Sequence, residues 1–239
     1  MRWRKAGGFV AACVIAAGTG ALAGAVPASA AGGGEVRVSG SQLQYTAVGE
    51  DANTVRMAIG ETYVWLSDLV LVVPGAGCEY FSSDHRAVRC AHAGVTSAAI
   101  RLGAGKDVFG SPLGEPSFPF FVDTGDGDDT VSGDERTEII HGGPGNDTLH
   151  GNGGRDVVYG DAGDDRISGG LGSDLLAGGD GQDQLSGQWG DDLLFGNAGD
   201  DVLDGGDDAD LLDGGPGENT LDGGNGDDQC VNGPTVQNC

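Results

Sequence analysis

Along the second half of the chain an acidic side chain recurs every nine positions: Asp129, Glu138, Asp147, Asp156, Asp165, Asp174, Asp183, Asp192, Asp201, Asp210 and Asp228. Asn219 is the one break in the series. If the nine-residue period stacks, like carboxylates come close together, which disfavours ionising neighbours. A hard cation between them reverses the sign of that interaction. Carboxylate and backbone carbonyl oxygens are what Ca²⁺ prefers, whereas Mg²⁺ demands stricter octahedral geometry and keeps its water. Transition metals prefer His or Cys, which the loops carrying these acids lack. The chemistry implied is calcium coordination, with these acids as candidate ligands.

The elements that must position the acids follow from the same period. Twelve nine-residue units run from Thr124 to Val231 without insertion or deletion. The acid is position 6. Position 1 is Gly in every unit but the first, where Thr124 stands, and position 4 is Gly except at Arg136 and Asp208. Position 2 is Gly, Asn or Asp except at Gln188. Position 8 is aliphatic in each unit, from Val131 to Leu221, until Cys230 in the last. Glycine at positions 1 and 4 suggests backbone angles that other residues reach only with strain, and Asn and Asp tolerate left-handed angles at position 2. Positions 1–6 then read as a tight turn. Positions 7–9 read as a very short strand with its middle side chain turned inward. Such a strand cannot stand alone, but stacked copies bury the position-8 stripe as a continuous core. His141 and His150, at position 9, read as solvent-facing strand residues, and Trp189 as an exposed aromatic.

The units Gly142 to His150 and Gly169 to Ala177 match G-G-x-G-x-D-x-U-x at each defined position. Residues 124–231 thereby resemble the RTX family of hemolysin-type calcium-binding nonapeptide repeats. The resemblance implies an all-β, right-handed parallel β-roll, a β-solenoid with two units per turn. It implies Ca²⁺ between loops stacked on the same edge, held by position-6 carboxylates and loop carbonyls. One edge would carry Asp129, Asp147, Asp165, Asp183, Asp201 and Asn219. The other would carry Glu138, Asp156, Asp174, Asp192, Asp210 and Asp228. The best sites are expected between Asp147 and Asp201. The loop at Gly133 has Arg136 in place of Gly and the longer Glu138, the loop at Gly205 carries Asp208 and Ala209, and Asn219 supplies no charge.

The rest of the chain divides around this array. Arg2, Arg4 and Lys5, the apolar run Phe9 to Val26 and the Ala28-Ser29-Ala30 box read as a signal peptide over residues 1–30, removed on export. The mature protein is then secreted and not membrane-spanning. Residues 31–123 read as a β-rich N-terminal cap, with strand-like segments such as Thr62 to Leu66. Within it Ile100 to Phe109 looks like one degenerate unit, out of phase with the array and separated from it by a Pro-rich stretch, Ser111 to Pro119. Residues 232–239 form a tail. The mature chain keeps Cys78, Cys90, Cys230 and Cys239; of three pairings, Cys78–Cys90 with Cys230–Cys239 closes the shortest loops. That second bridge would fold the tail over the open end. His85 and His92 beside Cys90 offer a zinc alternative, with irregular spacing.

A formal charge of −25 argues against nucleic acid, which needs clustered Lys and Arg. Catalytic signatures such as H-E-x-x-H, G-x-S-x-G or a Walker loop are absent from the sequence. The reading is a non-enzymatic, secreted calcium-binding protein. Its alternatives are a calcium-dependent surface or matrix adhesin or scaffold that binds a protein or polysaccharide, and a hydrolase with its site in residues 31–123.

Overall fold

The computed structural model describes residues 33–39, 41–48, 52–59, 63–67, 71–74, 78–80, 87–91, 95–110 and 118–239. The export segment 1–30, His85, His92 and most of the Pro-rich stretch lie outside the described residues. Each regular element among those described is a β-strand. The first seven are β1 (Gly33–Ser39), β2 (Gln42–Val48), β3 (Thr54–Ile59), β4 (Tyr63–Ser67), β5 (Leu71–Pro74), β6 (Cys78–Tyr80) and β7 (Ala87–Ala91). Next come β8 (Ser97–Arg101), β9 (Val108–Gly110), β10 (Phe120–Asp123), β11 (Thr130–Ser132), β12 (Glu138–Pro144), β13 (Thr148–Gly153), β14 (Val157–Ala162) and β15 (Arg166–Leu171). The chain ends with β16 (Leu175–Asp180), β17 (Gln184–Trp189), β18 (Leu193–Ala198), β19 (Val202–Asp207), β20 (Leu211–Asp213), β21 (Thr220–Asn225), β22 (Gln229–Val231) and β23 (Thr235–Gln237).

From β8 onward the even-numbered strands build one sheet and the odd-numbered strands another. The first sheet has the order β22-β20-β18-β16-β14-β12-β10-β8-β2-β1-β5, and the second β23-β21-β19-β17-β15-β13-β11-β9-β3-β4-β7-β6. Neighbours in the array are parallel and in register at equivalent positions, as in Leu149 with Ile167, Ile167 with Leu185 and Leu185 with Leu203. Each turn therefore uses two units, one strand per sheet. This is a parallel β-solenoid of the β-roll type. Position-8 side chains from Val131 to Leu221 lie buried between the sheets, joined at the N-terminal end by Ile100, Phe109, Phe120 and Val122. Phe109 and Phe120 meet edge to face at 5.6 Å, the geometry that aromatic quadrupoles favour.

Two expectations about the unit change. Most strands of the array run six residues, from position 7 of one unit through position 3 of the next, as in Leu175–Asp180. Only positions 4–6 turn the chain. Glycines read as turn residues lie within strands here, and position 2 pairs with its counterpart one turn on, as Gly143 with Asp161. The left-handed angles fall at positions 2 and 4, for example Asn152 (φ 79°) and Gly154 (φ 114°), and not at position 1. Gly142 is needed for space: a Cβ there would overlap the Asp147 carboxylate and come 2.8 Å from the Gly160 carbonyl oxygen.

The parallel stack reaches back past residue 124. Strand β10 lies between β8 and β12, and β9 between β3 and β11. Beyond β2 and β3 the pairing changes character: β1–β2, β3–β4, β4–β7 and β6–β7 are antiparallel. The second sheet ends in the antiparallel pair β7–β6, which blunts an edge that parallel strands would leave open to further pairing, whereas the first ends in β5, parallel to β1. Disulfides join Cys78 to Cys90 across β6 and β7, and Cys230 to Cys239 at the opposite end.

Candidate metal centre

The position-6 acids stand in two buried columns, each at a turn between the sheets. Asp129, Glu138, Asp147, Asp156, Asp165, Asp174, Asp183, Asp192, Asp201 and Asp210 are each 3% exposed or less. In the array, one carboxylate oxygen is committed. Oδ1 of Asp147 accepts the Asp129 amide (2.7 Å), Oδ1 of Asp165 that of Asp147 (2.8 Å) and Oδ1 of Asp183 that of Asp165 (2.9 Å). The other column repeats this, with Asp156, Asp174, Asp192, Asp210 and Asp228 each accepting the amide of the acid one turn earlier. The two columns are the two edges expected from the sequence.

The second oxygen has no hydrogen-bond donor. Oδ2 is buried and unpartnered in Asp129, Asp147, Asp156, Asp165, Asp174, Asp183, Asp192, Asp201, Asp210 and Asp228, as is Oε1 of Glu138. Burying one such oxygen without a donor costs free energy; a whole column of them calls for a shared cause. Asn219 supplies the internal control. Its Oδ1 accepts the Asp201 amide at 2.9 Å, as an aspartate there does. Its Nδ2 donates to the carbonyls of Gly215 (3.0 Å) and Asn232 (3.1 Å). Where the series has an amide, the pocket offers carbonyl oxygens. In the other units the carboxylate Oδ2 occupies that place, so oxygen faces oxygen and a donor or cation is required.

Electrostatics agree. Burial pushes the carboxyl of Asp147 up to about 7, with Asp165 and Asp129 adding to the rise. Burial does the same for Asp156, Asp183 and Asp192, each raised to about 7. Asp165 and Asp210 rise to about 6. Glu138 goes highest, to about 9, through burial and then the charges of Asp134 and Asp156. The Glu138 loop also differs in form, because its Oε2 accepts the Asp134 amide of its own unit at 3.2 Å. The loops contribute carbonyls as well. A Cβ on Gly145 or Gly163 would overlap the position-4 carbonyl of the preceding turn, Gly127 or Gly145, so these oxygens point into the gaps between turns. No cluster of three or more His, Cys, Asp or Glu side chains suited to a metal occurs among the described residues. A cation here would use carboxylates from adjacent turns together with backbone carbonyls, an all-oxygen set that suits Ca²⁺.

One column member lies outside the regular array. Asp107 is fully buried, and its amide donates to Asp129 Oδ1 at 2.7 Å. Gly103 and Gly105 have left-handed φ of 91° and 122°, as positions 2 and 4 require. The spacing Gly103-x-Gly105-x-Asp107-x-Phe109 is the unit's own signature. The sequence marks Ile100 to Phe109 as a degenerate unit, but the Pro-rich insertion lengthens the offset to Asp129 to 22 residues, so the nine-residue count does not place Asp107 among the acids. Asn53 follows at the next level and donates through Nδ2 to Asp107 Oδ1 at 3.1 Å. Asparagines thus bound this column at both ends. His141 is half-buried on the outer face of the first sheet, stacked on Tyr159 at 4.6 Å, away from both columns.

A solenoid whose turns stack buried acids on two edges is the architecture of a repeat that binds cations between its loops. Comparison with family models bears on which one: the RTX calcium-binding nonapeptide repeat matches in four copies, at residues 132–167, 141–176, 168–203 and 195–230. Residues 132–230 thus carry the RTX calcium-binding nonapeptide repeat. No curated protein and no solved structure matches the chain.

Proposed function

We propose that this is a secreted, non-enzymatic calcium-binding protein whose roll folds around Ca²⁺. The observation that carries the reading is the pair of acid columns with one buried, donorless oxygen per residue, set against Asn219, where an amide satisfies the same place. The ligands would be Asp129, Glu138, Asp147, Asp156, Asp165, Asp174, Asp183, Asp192, Asp201, Asp210 and Asp228, with Asp107 added, together with loop carbonyls. When bound, Ca²⁺ supplies positive charge that allows adjacent buried carboxylates to ionise together. The chain supplies fixed oxygens, at positions held by the amide-to-Oδ1 ladder. Glu138, already engaged with Asp134, is the weakest member. Export is supported by the basic, apolar and A-x-A segments of residues 1–30, and by two disulfides, which persist in oxidising compartments. Residues 31–123 would serve as the cap and residues 232–239 as the closing tail. A surface or matrix adhesin role would build on the folded roll.

Equilibrium dialysis of residues 31–239 against Ca²⁺ tests the reading. Several ions bound per chain, fewer in Asp165→Asn and Asp174→Asn variants, are expected. Binding of one ion or none would overturn it.

A further inference from the structure

The two outer faces of the roll are chemically different. On the second sheet, the outward positions 7 and 9 are mostly polar, with Thr130, Thr148, Arg166, Gln184, Ser168 and Ser186, and Val202 (49% exposed) interrupts them. On the first sheet, position 7 forms an aliphatic column in which Val157 pairs with Leu175 and Leu175 with Leu193. Leu193 is 40% and Ile139 43% exposed. Position 9 of that sheet runs His141, Tyr159, Ala177, Phe195 in register. One face of the Tyr159 ring is covered by His141, at 4.6 Å and 27° between planes. On its other side the register places Ala177 next in the column, where a methyl group leaves room, and Phe195 one strand beyond. None of this is needed to bind calcium or fill the core.

The notch has a definable size. Tyr159 and Phe195 are two strands apart, about 9.5 Å between their backbones. A flat ring held midway would sit about 4.7 Å from each wall, beyond the 3.5–4.0 Å optimum for carbon contacts. A puckered, saturated ring with C–H bonds projecting on both faces fills that width, and those C–H bonds meet the negative faces of aromatic rings. The apolar strip runs about 24 Å along position 7 from β10 to β20, but at position 9, about 7 Å away, it is bounded by Asp123 and Asp213. That area is well short of the roughly 800 Å² per partner of a stable protein interface, which disfavours a second copy. The formal charge of −25 disfavours acidic ligands.

We infer that the Tyr159–Ala177–Phe195 notch, with the aliphatic strip of Val157, Leu175 and Leu193 beside it, is a docking site for a neutral polysaccharide, one pyranose ring seated between the two aromatic walls. The inference rests on the calcium-folded roll, because stacking brings the three residues together. It names a ligand class for the adhesin role.

The test is calorimetric titration of residues 31–239 in CaCl₂ with cellopentaose and with chitopentaose, with circular dichroism and sedimentation velocity on the same samples. Binding of at least one oligosaccharide is expected. Ala177→Phe, which fills the notch, and Tyr159→Ser, which removes a wall, should each weaken it at least about tenfold without changing the Ca²⁺-dependent spectrum. Gln184→Ala, on the opposite face, should bind like the parent. A folded roll that binds neither sugar at millimolar concentration overturns the inference and leaves the calcium reading standing. So does binding indifferent to Ala177→Phe, or a dimer that Ala177→Phe abolishes. A chain that neither folds with Ca²⁺ nor binds sugar defeats both.

Discussion

Substituting Asp183 by Asn should change stability in opposite directions with and without calcium. Asp183 lies mid-column, its Oδ1 accepting the Asp165 amide at 2.9 Å. Asparagine keeps that bond. By the pattern of Asn219, its Nδ2 would donate to the carbonyls of Gly179 and Gly196, the counterparts of Gly215 and Asn232. In the calcium-free roll the Asp183 carboxyl is raised from 3.8 to about 7, chiefly by burial and then by Asp165 and Asp201. At about 1.4 kcal/mol per pKa unit, carrying its charge at neutral pH costs the folded apo state up to roughly 4 kcal/mol. The variant removes that cost. With Ca²⁺ the same change deletes a charged ligand from the gaps on either side, so affinity falls and the roll is less stable than the parent. Thermal unfolding followed by circular dichroism, in EDTA with an osmolyte to bring the folded fraction into range and again in CaCl₂, reads both signs. Destabilisation in both conditions would refute the reasoning, because a purely structural aspartate behaves that way.

Acid should partly replace calcium. The column carboxyls have folded values above their unfolded ones, so their contribution is fully present below about pH 4 and is lost as pH rises through about 6 to 7. In EDTA the β signal should therefore grow on acidification, whereas the Ca²⁺ midpoint should move to higher concentration between pH 7 and pH 5; titrations at several pH values check both. Gly160→Ala would push a methyl group into the Asp165 carboxylate and within 2.6 Å of the Gly178 carbonyl oxygen. It should cost about 1–3 kcal/mol in CaCl₂, measured by urea unfolding, with Ser173→Ala at an outward loop position nearly neutral. Leu176→Ala, at a fully buried position-8 site, should cost about 2–5 kcal/mol by the same measurement.

Much of this site was legible because periodicity exposes columns. The acid at position 6 and the aliphatic residue at position 8 recur in phase, so the core stripe could be written down from spacing, and the family resemblance, with two units per turn, sorted the acids onto two edges. What misled was glycine. Gly-Gly-x reads locally as a turn, yet pairing with neighbouring turns keeps positions 1–3 within the strand, with the left-handed residue at position 2 part of the ladder, a tertiary effect that no single unit displays. The position-1 glycines are conserved in type along the array by the bulk of the carboxylate beside them, not by backbone angle. The unit ending at Phe109 was legible as a degenerate repeat, but its broken phase kept Asp107 out of the acid series. The difference between the outer faces appears only when alternate units are separated, because consecutive units contribute to opposite sheets.

The most direct test of the account is far-UV circular dichroism of residues 31–239 titrated with CaCl₂ and, in parallel, with MgCl₂. A cooperative gain of β signal with Ca²⁺ and little change with Mg²⁺ is the predicted result. A chain already folded in EDTA at neutral pH and unmoved by Ca²⁺ would contradict it, since the donorless carboxylates would then be tolerated without a cation.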